Sequence, residues 1–154
     1  MPARAGSRPP VGLTLYARAV MTDTGALLAL ADQHDSHHDE AVDCLRRISE
    51  HRLPLFISLP TIYESHRRFL FSLGNRAAES MLTRVYDGTI NVVRTVSDDE
   101  SEARRLLGRY RDLDFTLVDA VNMAVMVRLR IAAAFSFDRH YLQAGFVRIP
   151  PFHL

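Results

Sequence analysis

The chain contains no lysine, so all 19 of its Lys+Arg side chains are arginine. Arginine pairs phosphates through a planar fork, yet genome base composition produces the same bias, and arginine alone does not identify a nucleic-acid binder. An excess of either charge is also lacking: 19 basic against 18 acidic side chains leave a net charge of +1, which argues neither for nor against a polyanionic partner. Cysteine is nearly absent, and the lone Cys44 excludes an intrachain disulfide and suits a reducing compartment, so a cytoplasmic location is expected. No apolar run reaches membrane-spanning length, which excludes a membrane helix. Residues 1–12, MPARAGSRPPVG, lack the apolar stretch that a signal peptide needs after its positive charges, and they read as a flexible arm ahead of a single domain over residues 13–154. No internal repeat or low-complexity tract interrupts that domain.

What remains is ordinary in bulk and informative in order. With 47% hydrophobic and 24% charged residues the chain is no candidate for wholesale disorder, and its 154 residues suffice for one real core. Short β-prone runs at 19–22, 55–58, 90–93, 131–137 and 146–149 alternate with helical patterns, the signature of an α/β domain with a mainly parallel sheet of about five strands. The first run is the weakest, because Arg18 adjoins it and Ala19 has little strand propensity. Helices are expected over DTGALLALAD, over HHDEAVDCLRRISEH with Ala41, Leu45 and Ile48 on one face and Cys44 beside it, over 59–73 up to Gly74, over 75–86, and over 97–110 with its acidic first turn. LVDAVNMAVMVRL is apolar nearly all round, so that helix should be deeply buried.

Four acids stand where an apolar segment ends or a helix begins: Asp23, Glu64, Asp119 and Asp138. Each has a structural alternative. Asp23 and Asp138 suit helix caps, and Thr61-x-x-Glu64 and Thr116-x-x-Asp119 both match a capping box. Position favours a site, because ligands of open parallel sheets collect beyond the carboxyl ends of strands, where Asp23 and Asp138 lie. Four clustered carboxylates would repel severely unless a hard divalent cation neutralised them, and Mg²⁺ or Mn²⁺ prefers such an oxygen shell. The chemistry that follows is metal-assisted attack on a phosphodiester.

DTGALLAL followed by HHDEA, PLFISLPTIYES, RYRDLDFTLVDAVNMAV and AAAFSFDRHY resembles the PIN-domain ribonucleases, most closely the VapC-type toxins, from about Ala19 to the C-terminus. The resemblance implies a three-layer α/β/α sandwich and a Mg²⁺- or Mn²⁺-dependent endoribonuclease. It also implies a homodimer neutralised by a small antitoxin protein. The family's acidic set maps onto Asp23, Glu64, Asp119 and Asp138, with Asp114 as an outer addition. Thr24 meets the small hydroxyl residue near the first acid, and Ser136 the one before the last.

Other residues carry weaker signals. His34, His37 and His38 suggest Zn²⁺, but neighbours in a helix do not share a face and no Cys joins them, so a solvated helix entrance is expected. Arg67 and Arg68 follow Glu64 by three and four positions; they either pair with it along the helix or, for Arg68, contact phosphate. Asn122, one turn beyond Asp119, needs a partner in its apolar helix and is expected to bond the site. A phospho-acceptor signalling domain would need a lysine near its last strand, and a haloacid-dehalogenase-like phosphatase would also need an Asp-x-Asp signature; the chain has neither. A solitary PIN-domain RNA-processing nuclease and a non-catalytic RNA-binding module stand as the alternatives.

Overall fold

In the computed structural model, which describes residues 18–152, all five sheet segments expected from the sequence form, each within its run. They are β1 (Val20–Thr22), β2 (Leu55–Ser58), β3 (Ile90–Val93), β4 (Ala133–Phe135) and β5 (Val147–Ile149). All pair in parallel, in the order β3-β2-β1-β4-β5. The expected arm over residues 1–12 and the domain start at 13 lie outside the described residues.

Side chains alternate across the sheet and build two cores. Met21, Phe56 and Ala134 face one layer, packed on α5 (Ser97–Arg109), α6 (Leu117–Leu129) and α7 (His140–Gln143). Val20, Ile57 and Phe135 face the other, which holds α1 (Thr24–Ala31), α2 (His38–Glu50), α3 (Leu59–Leu73) and α4 (Asn75–Val85). The period-two pleat thus makes a three-layer sandwich from one run of apolar residues. In α6 every residue from Asp119 to Met126 is buried, as its all-round apolarity requires. Cys44 packs in the α2 core, where burial pushes its thiol up to about 12.

Two local expectations are corrected. Thr61 and Glu64 do not cap α3: Ser58 is its N-cap, accepting from the Thr61 N–H, and Pro60 occupies the first turn, so the helix starts before that pair. Helix α7 was not expected at all, since four residues are too few for a helical period to register in sequence. Gly74 ends α3 at φ 88°, a left-handed conformation that side chains avoid.

Strand order reverses direction from β1: β2 and β3 lie to one side, β4 and β5 to the other. At such a switch point the connections leave in opposite directions and open a crevice at the carboxyl ends. Asp23 follows β1 directly, and Asp138 lies three residues after β4.

Candidate functional site

The β1–β4 pairing sets Thr22 opposite Phe135, so the next residues, Asp23 and Ser136, also meet. The Ser136 hydroxyl donates to Asp23 Oδ2 at 2.8 Å and accepts the Asp138 N–H at 2.9 Å, tying the two strand ends together. Asp23 occupies the N-cap position of α1, yet its carboxylate makes no capping bond. The cap reading therefore fails for this residue.

Thr24, the first residue of α1, is buried and donates to Glu64 Oε2 at 2.8 Å. Its single proton being used there, the Ser65 hydroxyl 3.0 Å away is the donor to Thr24. Glu64 is thus held across the crevice from α3 by the turn that carries Asp23. No ion pair joins Glu64 to Arg67 or Arg68 among the described residues. Both arginines are exposed, and Arg67 lies 5.9 Å from the centre of the Phe71 ring.

Asp119 takes the capping role that its sequence context allowed, with its carboxylate left facing the acids. Its Oδ2 accepts the Thr116 N–H at 2.9 Å while its own N–H donates to Thr116 Oγ1 at 3.1 Å, a complete capping box that fixes the carboxylate at the mouth of α6. Asp138 is fixed differently: its Oδ1 accepts the N–H of His140 at 2.9 Å, a turn that folds His140 back over it. The imidazole Nδ1 then lies 3.0 Å and 3.1 Å from the two Asp138 oxygens and 3.8 Å from Asp119 Oδ2. The Phe115 ring meets that imidazole edge-on at 4.9 Å.

Electrostatics link the four acids in a row. Burial pushes the Asp23 carboxyl up to about 6, and the charges of Asp119 and Glu64 add to this against the Ser136 and Thr24 hydrogen bonds. Burial also raises Asp119, with Asp138 repelling it, while Thr116 and His140 oppose the shift. Asp119, Asp138 and His140 each offer a ligand atom, and these atoms lie within 4.8 Å of one another. Buried carboxylates raised by burial and by one another are the groups a divalent cation would relieve, and oxygen donors suit Mg²⁺ or Mn²⁺.

Among the described residues, Asn122 makes no hydrogen bond to any of the four acids. Its carbonyl oxygen accepts from Ser58 and Thr61, and its amide donates to the Tyr141 hydroxyl at 3.2 Å, so it joins the start of α3 to α6 and α7. Burial holds the Tyr141 phenol well above its ordinary range. Asp114 is exposed and, among the described residues, makes no hydrogen bond or ion pair. The three histidines before α2 do not converge: His37 stacks on Phe137 at 4.2 Å, His38 bonds Ala29 O, and the His34 N–H bonds Asp32, so the zinc alternative fails. A cleft of about 960 Å³ between α2 and α4 has Leu45, Ile48 and Met81 among its walls, and none of the four acids lines it.

Sequence reasoning passed over His140 and Ser65, whereas the Thr116–Asp119 capping box was named from its spacing. His140 stood in the quoted FSFDRHY segment, but a residue two positions from Asp138 shares its side only where a turn intervenes.

The family model described as PIN domain matches residues 20–147. A curated relative, the 23S rRNA-specific endonuclease VapC20 of Mycobacterium tuberculosis, is 27% identical over 133 residues, covering 86% of this chain and 98% of that protein. The crystal structure of that Mycobacterium tuberculosis protein, described as a sarcin-ricin loop cleaving toxin, superposes with a TM-score of 0.77 at 26% identity, over 85% of this chain and 98% of that one. A toxin–antitoxin complex from Klebsiella pneumoniae shares the fold at TM-score 0.62 and 19% identity, over 88% of this chain and 100% of that one.

Proposed function

The chain belongs to the PIN-domain family, and on that premise we propose that it is a metal-dependent endoribonuclease acting as the toxin of a toxin–antitoxin pair. One observation supports the reading: Asp23, Glu64, Asp119 and Asp138 come from four separate segments, yet Asp23 feels the charges of Asp119 and Glu64, and Asp119 feels that of Asp138. Acids that served only to cap helices would have no reason to converge, and Asp23 and Glu64 do not cap.

In this reading the four carboxylates hold Mg²⁺ or Mn²⁺. The cation supplies an activated water and neutralises charge on the phosphoryl oxygens. The protein's own part is placement. Ser136 aims Asp23, Thr24 aims Glu64, the capping box fixes Asp119, and the turn at His140 fixes Asp138. Asn122 keeps α3 and α6 in register, so Glu64 and Asp119 stay on opposite walls. Arg68, exposed one turn beyond Glu64, is proposed to meet an incoming phosphate, and Asp114, also exposed, to act as an outer acid. The likeness to a ribosomal RNA endonuclease over nearly its whole length nominates ribosomal RNA as the first substrate to try.

The partner is proposed to be a small antitoxin whose arginine pairs with these carboxylates and displaces the cation. A homodimer is also proposed, and exposed apolar side chains such as Leu117 and Phe71 leave surface for it. The test has two arms. Purified chain should cleave RNA with Mg²⁺ or Mn²⁺ and stop in excess chelator; cleavage that continues there refutes the metal chemistry. Expression of the chain alone should arrest growth, and Asp119→Asn should not; equal growth with both proteins expressed refutes the toxin.

A further inference from the structure

The four acids account for an oxygen-donor site, but a nitrogen donor faces the same space. His140 is held there by two contacts and by burial. Its backbone N–H is bound by Asp138 at 2.9 Å, the edge of the Phe115 ring limits its rotation at 4.9 Å, and its side chain is only 13% exposed. What it presents inward is Nδ1, 3.0 Å from Asp138 and 3.8 Å from Asp119.

Those separations fit a coordination sphere. Donors on adjacent corners of an octahedron with bonds of ~2.1 Å stand about 3.0 Å apart, and donors on opposite corners about 4.2 Å. The separation of 3.0 Å from Asp138 matches adjacent corners, and the 3.8 Å from Asp119 needs only a small adjustment of that side chain to reach either value. Resting on the metal-dependent reading above, we infer that His140 ligates the catalytic cation through Nδ1, alongside Asp119 and Asp138. In the metal-free protein a hydrogen bond between Nδ1 and Asp138 fills the position that the cation takes.

The consequence is selectivity. An all-carboxylate shell is as good for Mg²⁺ as for Mn²⁺, whereas an imidazole nitrogen favours the transition metal, because Mg²⁺ is harder and binds nitrogen poorly. The site is therefore tuned to Mn²⁺. This also explains why an aromatic residue walls the imidazole: a ligand must be held in orientation by what surrounds it.

The experiment is pulsed EPR of Mn²⁺ bound to tag-free protein, with Mn²⁺ and Mg²⁺ affinities measured by calorimetry in parallel. Wild-type protein should show the hyperfine coupling of a directly bound ¹⁴N. The His140→Gln variant offers an amide oxygen in its place; it should lose that coupling, and its Mn²⁺ affinity should fall about tenfold or more, with Mg²⁺ affinity falling less. Circular dichroism of the variant checks that the fold is intact. A His140→Asn variant, shorter still, must lose the coupling too. Mn²⁺ bound in wild-type protein, displaced by Asp119→Asn yet showing no ¹⁴N coupling, overturns the inference and leaves the metal-dependent nuclease standing. Wild-type protein that binds neither cation overturns both.

Discussion

Asp23 is the residue at which fold and site conflict most directly. Its carboxyl stays protonated up to about 6 in the folded chain, against an ordinary value of 3.8, because burial and the neighbouring charges of Asp119 and Glu64 disfavour the anion. A raised folded value means that the contribution to stability is complete below 3.8 and is lost as pH rises through about 6. The loss is on the order of 3 kcal/mol for the metal-free protein. Asp23→Asn stays neutral and keeps an acceptor for Ser136, so its metal-free stability should be flatter with pH and exceed wild type at about pH 8. Urea melts of both proteins at about pH 5 and about pH 8 decide this; parallel behaviour would mean that Asp23 is ionised at no cost. Asp119 behaves otherwise, since its carboxylate also completes a capping box. Asp119→Asn should lose cleavage with little change in stability, whereas Asp119→Ala should lose cleavage and about 1 kcal/mol as well.

At the scale of elements, most of the architecture was legible before any coordinates, and the failures share a cause. Runs such as LFIS and INVV are short, apolar and β-prone, and they became β2 and β3 with the bounds the pattern gave. The first strand, weak by propensity, forms because β2 and β4 flank it on both sides. Helix α3 spans 59–73 as the pattern gave; what failed there is the Thr61–Glu64 capping alternative, because Ser58 supplies the cap three residues before Thr61. Asp23, Asp119 and Asp138 stood out in sequence because each follows a strand or opens a helix, whereas Glu64 lies in the second turn of α3 and stood out only through the resemblance and an apparent cap that the fold does not use. The part of His140 was not, because it depends on a turn within three residues.

One element contact invites its own measurement. Arg128 on α6 grips Asp99 on α5 through two bonds of 2.8 Å and 2.9 Å. Burial alone would raise Asp99, but these bonds, the Val96 N–H and the arginine charge hold it below its ordinary range. Arg128→Leu should therefore cost about 2 kcal/mol, less than a fully buried pair because the guanidinium is partly exposed. Equilibrium denaturation gives the value, and Asp99→Asn added to Arg128→Leu should cost less than the two single changes summed. Strict additivity would show that the pair contributes nothing.

For the whole molecule, a cation that binds only the folded chain must stabilise it. At a hundredfold excess over its Kd the gain is ~2.7 kcal/mol, readable as a rise in Tm with Mn²⁺ that Asp119→Asn does not show. An equal rise in both proteins would place the binding elsewhere. The switch-point geometry also has a meaning for how the chain is made. Asp23 reaches its final setting only when β4 has inserted beside β1 and brought Ser136 against it, and Asp138 and His140 come later still in chain order. A chain still in synthesis holds Asp23, Glu64 and Asp119 without their remaining partners. The setting of the acids is thereby a product of sheet closure: any state in which β4 has not seated beside β1 lacks the Ser136 hydroxyl that aims Asp23.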